Sequence, residues 1–338
     1  MRLRLVGVFA GLATCLAQPL VAAEVNVYSA RQDALIAPLL EQFEAETGIE
    51  VNLITGKAEE LLARIRAEGA ATPADVLITV DAGNLHRAKE SGVLQVIESV
   101  TLTSRVPEKL RDPDRKWVGL TVRARPIFYA KDRVDAAELS TYEALTDAQW
   151  KGRICIRSSG NIYNQSLVAS MIEAKGESAT EAWAEGLVAN FARKPTGGDT
   201  DQLRAVAAGQ CDVAIANTYY YARLLDSKKP EDRAVVGQVK VFWPNQGDRG
   251  THVNVSGAAL TKHAKNPNEA IQLLEFMVSD QAQAYYAEIN HEYPVVESAP
   301  LSSTISSLGE YKADALNLGV LGTNNTRAVK LMDRAGWH

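Results

Sequence analysis

Two rounds of strand-and-helix alternation, separated by one long extended run, constrain this chain more than any other feature of its sequence. Residues 24–29 (EVNVYS) alternate like a strand. A helix follows at about 34–46, with Leu35, Leu39, Leu40 and Phe43 on one face, Pro38 in its early turns and Thr47-Gly48 as its stop. Val51, Leu53 and Ile54 mark a second strand, and residues 59–68 a helix with Leu61, Leu62 and Ile65 inward. Thr72-Pro73 then breaks the chain before an apolar strand at 74–79. Strands separated by helices predict a mostly parallel sheet. Residues 117–129 (WVGLTVRARPIFY) form the extended run, after which the alternation restarts. The second round reads as a strand at 153–157, helices at 161–173 and 200–208, a strand at 211–216 and a helix starting at Asn217. Residues 252–260 (HVNVSGAAL) read as a return crossing, 267–278 as a helix and 311–338 as largely helical. The expectation is two α/β lobes joined by two crossings: 24–122 with 253–290, then 123–252, with a C-terminal helical segment, 291–338, packing on both. Ligands of such sheets bind at the carboxyl ends of strands, here in the cleft between lobes.

The amino terminus reads differently. Arg2 and Arg4 precede a mostly apolar run to Leu20, and Val21-Ala22-Ala23 offers small residues for cleavage before Glu24. This is the pattern of a secretory signal peptide, residues 1–23, which places the mature chain in the periplasm. The run is too short and interrupted to span a bilayer. Loss of the two arginines takes the formal charge from −5 to about −7. That balance argues against a nucleic-acid partner and suits a cationic ligand. Cys155 and Cys211 remain after cleavage, either as one disulfide in an oxidising compartment or as two buried thiols.

Two strand-to-helix turns carry the chemistry. In the first, residues 157–163 (RSSGNIY), backbone N–H groups and the polar side chains Ser159 and Asn161 suit an anion or a helix cap, and Tyr163 stands in the first turn. In the second, residues 216–223 (ANTYYYAR), Tyr219, Tyr220 and Tyr221 are consecutive at a helix start. A helix advances about 100° per residue, so two of them can face a cleft while the third packs sideways. Phenolate is a hard anionic oxygen donor suited to Fe³⁺, and a trivalent ion stabilises the deprotonated form against a free pKa of about 10. Other readings of the same residues are an aromatic wall for an organic ligand, or packing with exposed hydroxyls. The histidines His86, His252, His263 and His291 are scattered without metal-ligand spacing. No nucleophile elbow or metalloprotease helix marks the chain as an enzyme.

At these residues the sequence resembles the periplasmic ferric-ion-binding proteins of ABC iron importers, in particular the cyanobacterial-type ferric uptake branch. The resemblance runs through VNVYSAR (25–31), TPADVLITVDAGNL (72–85), GLTVRAR (119–125), RSSGNIYNQSLV (157–168), AIANTYYYARLL (214–225), GTHVNVSGAAL (250–260) and NNTRAVKLMDRAGW (324–337). It implies a type II periplasmic-binding-protein fold with two crossing strands, and a monomeric carrier that passes Fe³⁺ to an inner-membrane permease. It also implies Tyr163, Tyr219 and Tyr220 as metal ligands, with Tyr221 packing. Arg123 matches an arginine that holds a carbonate-like anion or sits beside the metal, with Arg125 the lesser candidate. Arg223, one turn after Tyr219, leans back toward the site, and Ser159 and Asn161 help to hold an anion. The family often has His-Tyr after the YSAR segment, where this chain has Gln32-Asp33. Asp33 therefore either replaces a first-lobe ligand or N-caps the helix beginning at Ala34. Asp81, at a strand end, is a further cleft residue, more often a cap. The same fold also carries organic solutes such as polyamines, thiamine or phosphonates, which is the alternative reading.

Overall fold

The computed structural model describes residues 23–338. The signal segment read from the sequence falls on residues outside these, apart from Ala23. Among the described residues no helix is long and apolar enough to cross a membrane.

Among the described residues, ten strands form two sheets. The larger contains β1 (Glu24–Ser29), β2 (Glu50–Thr55), β3 (Val76–Val80), β4 (Val118–Ala124), β9 (Val253–Leu260) and β10 (Tyr293–Pro294), in the order β10-β4-β9-β3-β1-β2. The smaller contains β5 (Ile127–Ala130), β6 (Ile154–Cys155), β7 (Val213–Ile215) and β8 (Val239–Phe242), in the order β6-β7-β5-β8. Two lobes therefore stand on two sheets, as expected. The sheets are less parallel than the alternation predicts. β1 pairs in parallel with β2 and β3, and β6 with β7, but β9 runs antiparallel to both β3 and β4. The cause is the return crossing: β9 comes back from the second lobe and so runs against β4, which leaves for it.

The boundary lies two residues later than expected. Arg123 and Ala124 still pair with Asn254 and Val253 in the larger sheet. The ladder ends only at Pro126, which has no N–H to donate. Residues 243–252 make the return, and 253–260 is wholly a first-lobe strand. The C-terminal segment is also less helical than expected. β10 joins the larger sheet as its edge, whereas helix Asn325–Arg334 buries Ala328, Leu331 and Met332, with Trp337, in the second lobe's core. The chain end thus ties both lobes.

Local signals explain the elements near the cleft. Helix Asp33–Thr47 buries Ile36, Leu39, Leu40 and Phe43 and ends at Gly48, whose φ of 72° and N–H bond to the Glu44 carbonyl form a left-handed cap. It starts at Asp33 itself, with Gln32 at the capping position, so Asp33 is not the N-cap. Cys155 and Cys211 are bridged, the Cα atoms 5.8 Å apart and 56 residues apart in sequence. By loop entropy such a crosslink stabilises by about 4 kcal/mol.

Candidate metal centre

Each tyrosine turn is held by its own polar frame. Helix Ile162–Lys175 is capped by Asn161, whose side-chain oxygen accepts the Tyr163 N–H at 3.1 Å. Asn164 donates back to the carbonyls of Arg157 (2.8 Å) and Ser158 (3.2 Å), and Gln165 to that of Ser159 (2.9 Å), which closes the polar loop onto the helix. Helix Thr218–Asp226 follows β7 directly, and the buried Asp199 carboxylate accepts the Asn217 N–H at 2.8 Å.

One arginine joins the two frames. Arg125 donates to Asp199 (3.0 Å), to the Asn217 side chain (2.8 Å) and to the Asn164 side chain (2.7 Å). It lies past the end of β4, so its guanidinium enters the second lobe, whereas Arg123 stays over the first. Two residues apart on one extended strand, both would point the same way, but the strand ends between them and their side chains part.

This scaffold brings the tyrosines together. The Tyr219 hydroxyl donates to the Tyr163 oxygen at 3.1 Å, and the Asn217 amide donates to Tyr219 at 3.4 Å. The Tyr219 and Tyr220 rings lie 4.3 Å apart, tilted by 36°. Tyr219 is buried, while Tyr163 and Tyr220 are half-buried. Tyr221 turns away, donates to the Val239 carbonyl at 2.8 Å and packs on Phe128.

Guanidinium groups surround the phenols. Arg223 lies 5.0 Å from the Tyr219 ring centre and 5.9 Å from that of Tyr220, and Arg123 lies 5.7 Å from Tyr219. Arg125 and Arg157 stand 5.9 and 5.4 Å from the Tyr163 ring. Arg123 is itself anchored, to Glu292 at 2.8 Å, the Val255 carbonyl at 3.0 Å and the Ser256 hydroxyl. Arg31 grips the same carboxylate at 2.9 Å and Thr121 donates to it at 2.5 Å. Burial opposes ionisation of Glu292, yet Arg31 and Arg123 outweigh it and pull its pKa to about 2. The Arg157 guanidinium makes no hydrogen bond among the described residues but pairs with Asp199 at 3.6 Å, whereas that of the half-buried Arg223 has neither a hydrogen bond nor an ion pair among them.

Burial pushes the Tyr163 and Tyr219 hydroxyls well above the ordinary phenol range, neighbouring tyrosine charge adds to the shift, and Arg123 opposes it. At neutral pH both are therefore phenols. Among the described residues no three His, Cys, Asp or Glu side chains come together as a metal cage. The phenol oxygens are the hard donor set that the fold assembles.

The remaining sequence candidates are placed as follows. Asp33 is exposed in the first turn of its helix, and no hydrogen bond joins it to the tyrosines. Ser159 is half-buried in the polar loop, and Asn161 is occupied as a cap. Asp81 is fully buried and caps helix Ala82–Glu90 through the Gly83 N–H at 2.8 Å. Arg31, Arg157, Asp199 and Glu292 were not foreseen. Arg31 and Arg157 lie inside the quoted segments, but Asp199 and Glu292 carry no spacing signal.

The family described as bacterial extracellular solute-binding protein matches residues 39–313. The chain is 53% identical over 314 residues to Iron uptake protein A1 of Synechocystis sp., covering 93% of this chain and 87% of that protein. It is 27% identical over 317 residues to the Fe(3+)-binding periplasmic protein of Serratia marcescens, covering 92% and 90%. Among solved structures, Trichodesmium IdiA (FutA) in complex with iron and citrate superposes with a TM-score of 0.91 at 52% identity, over 94% of this chain and 100% of that one. Mannheimia haemolytica ferric iron-binding protein A in an open conformation gives 0.87 at 41%, over 94% and 99%. The two lobes, the two crossings and these likenesses lead to one assignment: the chain belongs to the bacterial extracellular solute-binding protein family.

Proposed function

We propose that this protein is a periplasmic carrier that binds Fe³⁺ through the phenolates of Tyr163, Tyr219 and Tyr220 and delivers it to an ABC permease in the inner membrane. The convergence of Tyr163 and Tyr219, with hydroxyls 3.1 Å apart and Tyr220 against Tyr219, carries this reading. Three phenolates match the charge of the ferric ion, and the proteins named above for iron support the choice of cargo. An accompanying anion such as carbonate or citrate sits best under Arg223, beside Ser159 and the start of the Tyr163 helix. Arg123 acts through its field, because Glu292 and Ser256 already hold it. Asp33 remains the first-lobe oxygen donor nearest in chemistry to the family's ligands, reached only if its helix start turns to the cleft. The carrier works as a monomer without turnover, after signal cleavage before Glu24. The guanidinium groups around the cleft repel any cation, but Fe³⁺ sets three phenolates and an anion against them, whereas a polyamine or thiamine leaves the phenols protonated and the repulsion unopposed.

Titration with ferric citrate tests the reading. Wild-type protein gains a visible phenolate-to-iron charge-transfer band. Tyr219→Phe keeps the ring but loses the donor, so iron affinity falls by roughly a hundredfold or more while thermal stability without iron stays near wild type. Equal iron binding by Tyr219→Phe would reject the ligand assignment.

A further inference from the structure

The exposed position of Asp33 leaves open how closure of the first lobe senses iron bound by tyrosines of the second. A seam of polar contacts answers it. Asp81 ends β3 with φ at 76°, a left-handed conformation uncommon for a side chain other than glycine. The turn aims the carboxylate at the second lobe. One oxygen, Oδ1, accepts the Gly83 N–H at 2.8 Å and the Ser166 hydroxyl at 2.6 Å. Asp81 and Ser166 are both fully buried, and the other oxygen of Asp81 has no partner among the described residues. Ser166 lies three residues beyond Tyr163 on helix Ile162–Lys175.

Other contacts grip the same helix. Arg87, on the first-lobe helix Ala82–Glu90, donates to Gln165 at 3.2 Å and to Asn325 at 3.1 Å, and Asn325 donates to Gln165 at 3.1 Å. Ile162 reaches so close to Gly83 that a Cβ there would lie 3.1 Å from its Cδ1. The residues on either side of Tyr163 are therefore held by one first-lobe helix and its cap.

We propose that Asp81–Ser166 and Arg87–Gln165 form a latch across the lobes, so that these are positioning residues that fix the Tyr163 helix and couple closure to iron retention without a first-lobe ligand. The proposal rests on the ferric reading above for its cargo, but not for its geometry. Separation of the lobes exposes the Asp81 carboxylate to water, and closure requires that Ser166 replace that water. Iron bound by Tyr163 favours the arrangement in which this exchange is complete.

Ser166→Ala is the test. Release of iron from the loaded protein to excess EDTA should speed up roughly tenfold, as for loss of a hydrogen bond to a charged group. The charge-transfer band should keep its position, because the ligands are untouched. Small-angle scattering of the iron-free variant should show a larger radius of gyration than wild type. Asp81→Asn retains an accepting oxygen and tolerates the left-handed backbone but loses the charge, so its release rate should fall between those of wild type and Ser166→Ala. Arg87→Ala, a half-buried surface change, provides a second variant should Ser166→Ala fail to fold, with the same acceleration expected. Wild-type release and wild-type scattering in folded Ser166→Ala or folded Arg87→Ala would overturn the latch. A wild-type protein without the charge-transfer band would instead overturn the ferric reading, and the iron-free scattering would still decide the latch.

Discussion

His252 is a fully buried imidazole beside the lobe crossing, where burial, then the charges of Arg125 and Arg249, pull its pKa from 6.5 to about 3. A folded-state pKa below the unfolded one means that the native state resists a proton which the unfolded chain accepts. The contribution is intact above pH 6.5 and is lost as pH falls from there toward 3, by up to about 1.4 kcal/mol per pH unit. Denaturant midpoints at pH 7 and pH 4 should therefore differ more for wild type than for His252→Gln, which has no such proton to accept. Parallel curves for the two proteins would refute the assignment. At this scale the sequence was uneven in what it disclosed. The convergence of Tyr163, Tyr219 and Tyr220 was legible because each follows a strand's end, where side chains enter a cleft. Helical rotation predicted that one of the three consecutive tyrosines packs sideways, and the family resemblance assigned that place to Tyr221, which does turn away. Glu292 and Asp199 were not, since a lone carboxylate has no periodicity and meets its arginines only through the tertiary fold.

Among the elements, the short helix Gly319–Thr323 shows what a missing side chain allows. A Cβ built on Gly322 would stand 2.1 Å from the Cβ of His86, so only glycine lets this helix lie against helix Ala82–Glu90. Gly322→Ala should cost about 1–3 kcal/mol of stability by overpacking, read from chemical denaturation. Adding His86→Ala to that chain should recover part of the loss, and a Gly322→Ala protein as stable as wild type would contradict the contact. The strand-and-helix alternation was readable because apolar periodicity survives in short windows. Several elements escaped it: helix Ala82–Glu90, helix Glu177–Ala189, helix Pro230–Gln238 and strand β8. Helix Ala82–Glu90 carries polar residues on most positions and is fixed by its cap, so its pattern alone is weak. The two-residue β10 is set by its pairing with β4 rather than by its own sequence.

For the molecule as a whole, iron capture by the proposed ligands would also be an acid–base reaction. Burial holds Tyr163 and Tyr219 as phenols, so ligation through them has to expel their protons. Ferric affinity should fall as pH is lowered, on the order of a thousandfold per unit when all three phenols of the proposed set give up a proton. Calorimetry in buffers of different ionisation enthalpy counts those protons directly, and a count of zero would exclude phenolate ligation. The two-lobed plan was legible from the single long extended run and its return, while the exact crossing was not, because β4 and β9 continue their ladder up to Pro126. The Cys155–Cys211 bridge has a bearing on when this reaction becomes possible. Cys155 ends the strand that feeds the Tyr163 turn, and Cys211 precedes the strand that feeds the Tyr219 turn. The covalent link thus braces the two arms that present the donors. A chain in a reducing compartment lacks that brace, so for the proposed periplasmic carrier, readiness to seize metal would be acquired only on the oxidising side of the membrane, away from the cell's own iron.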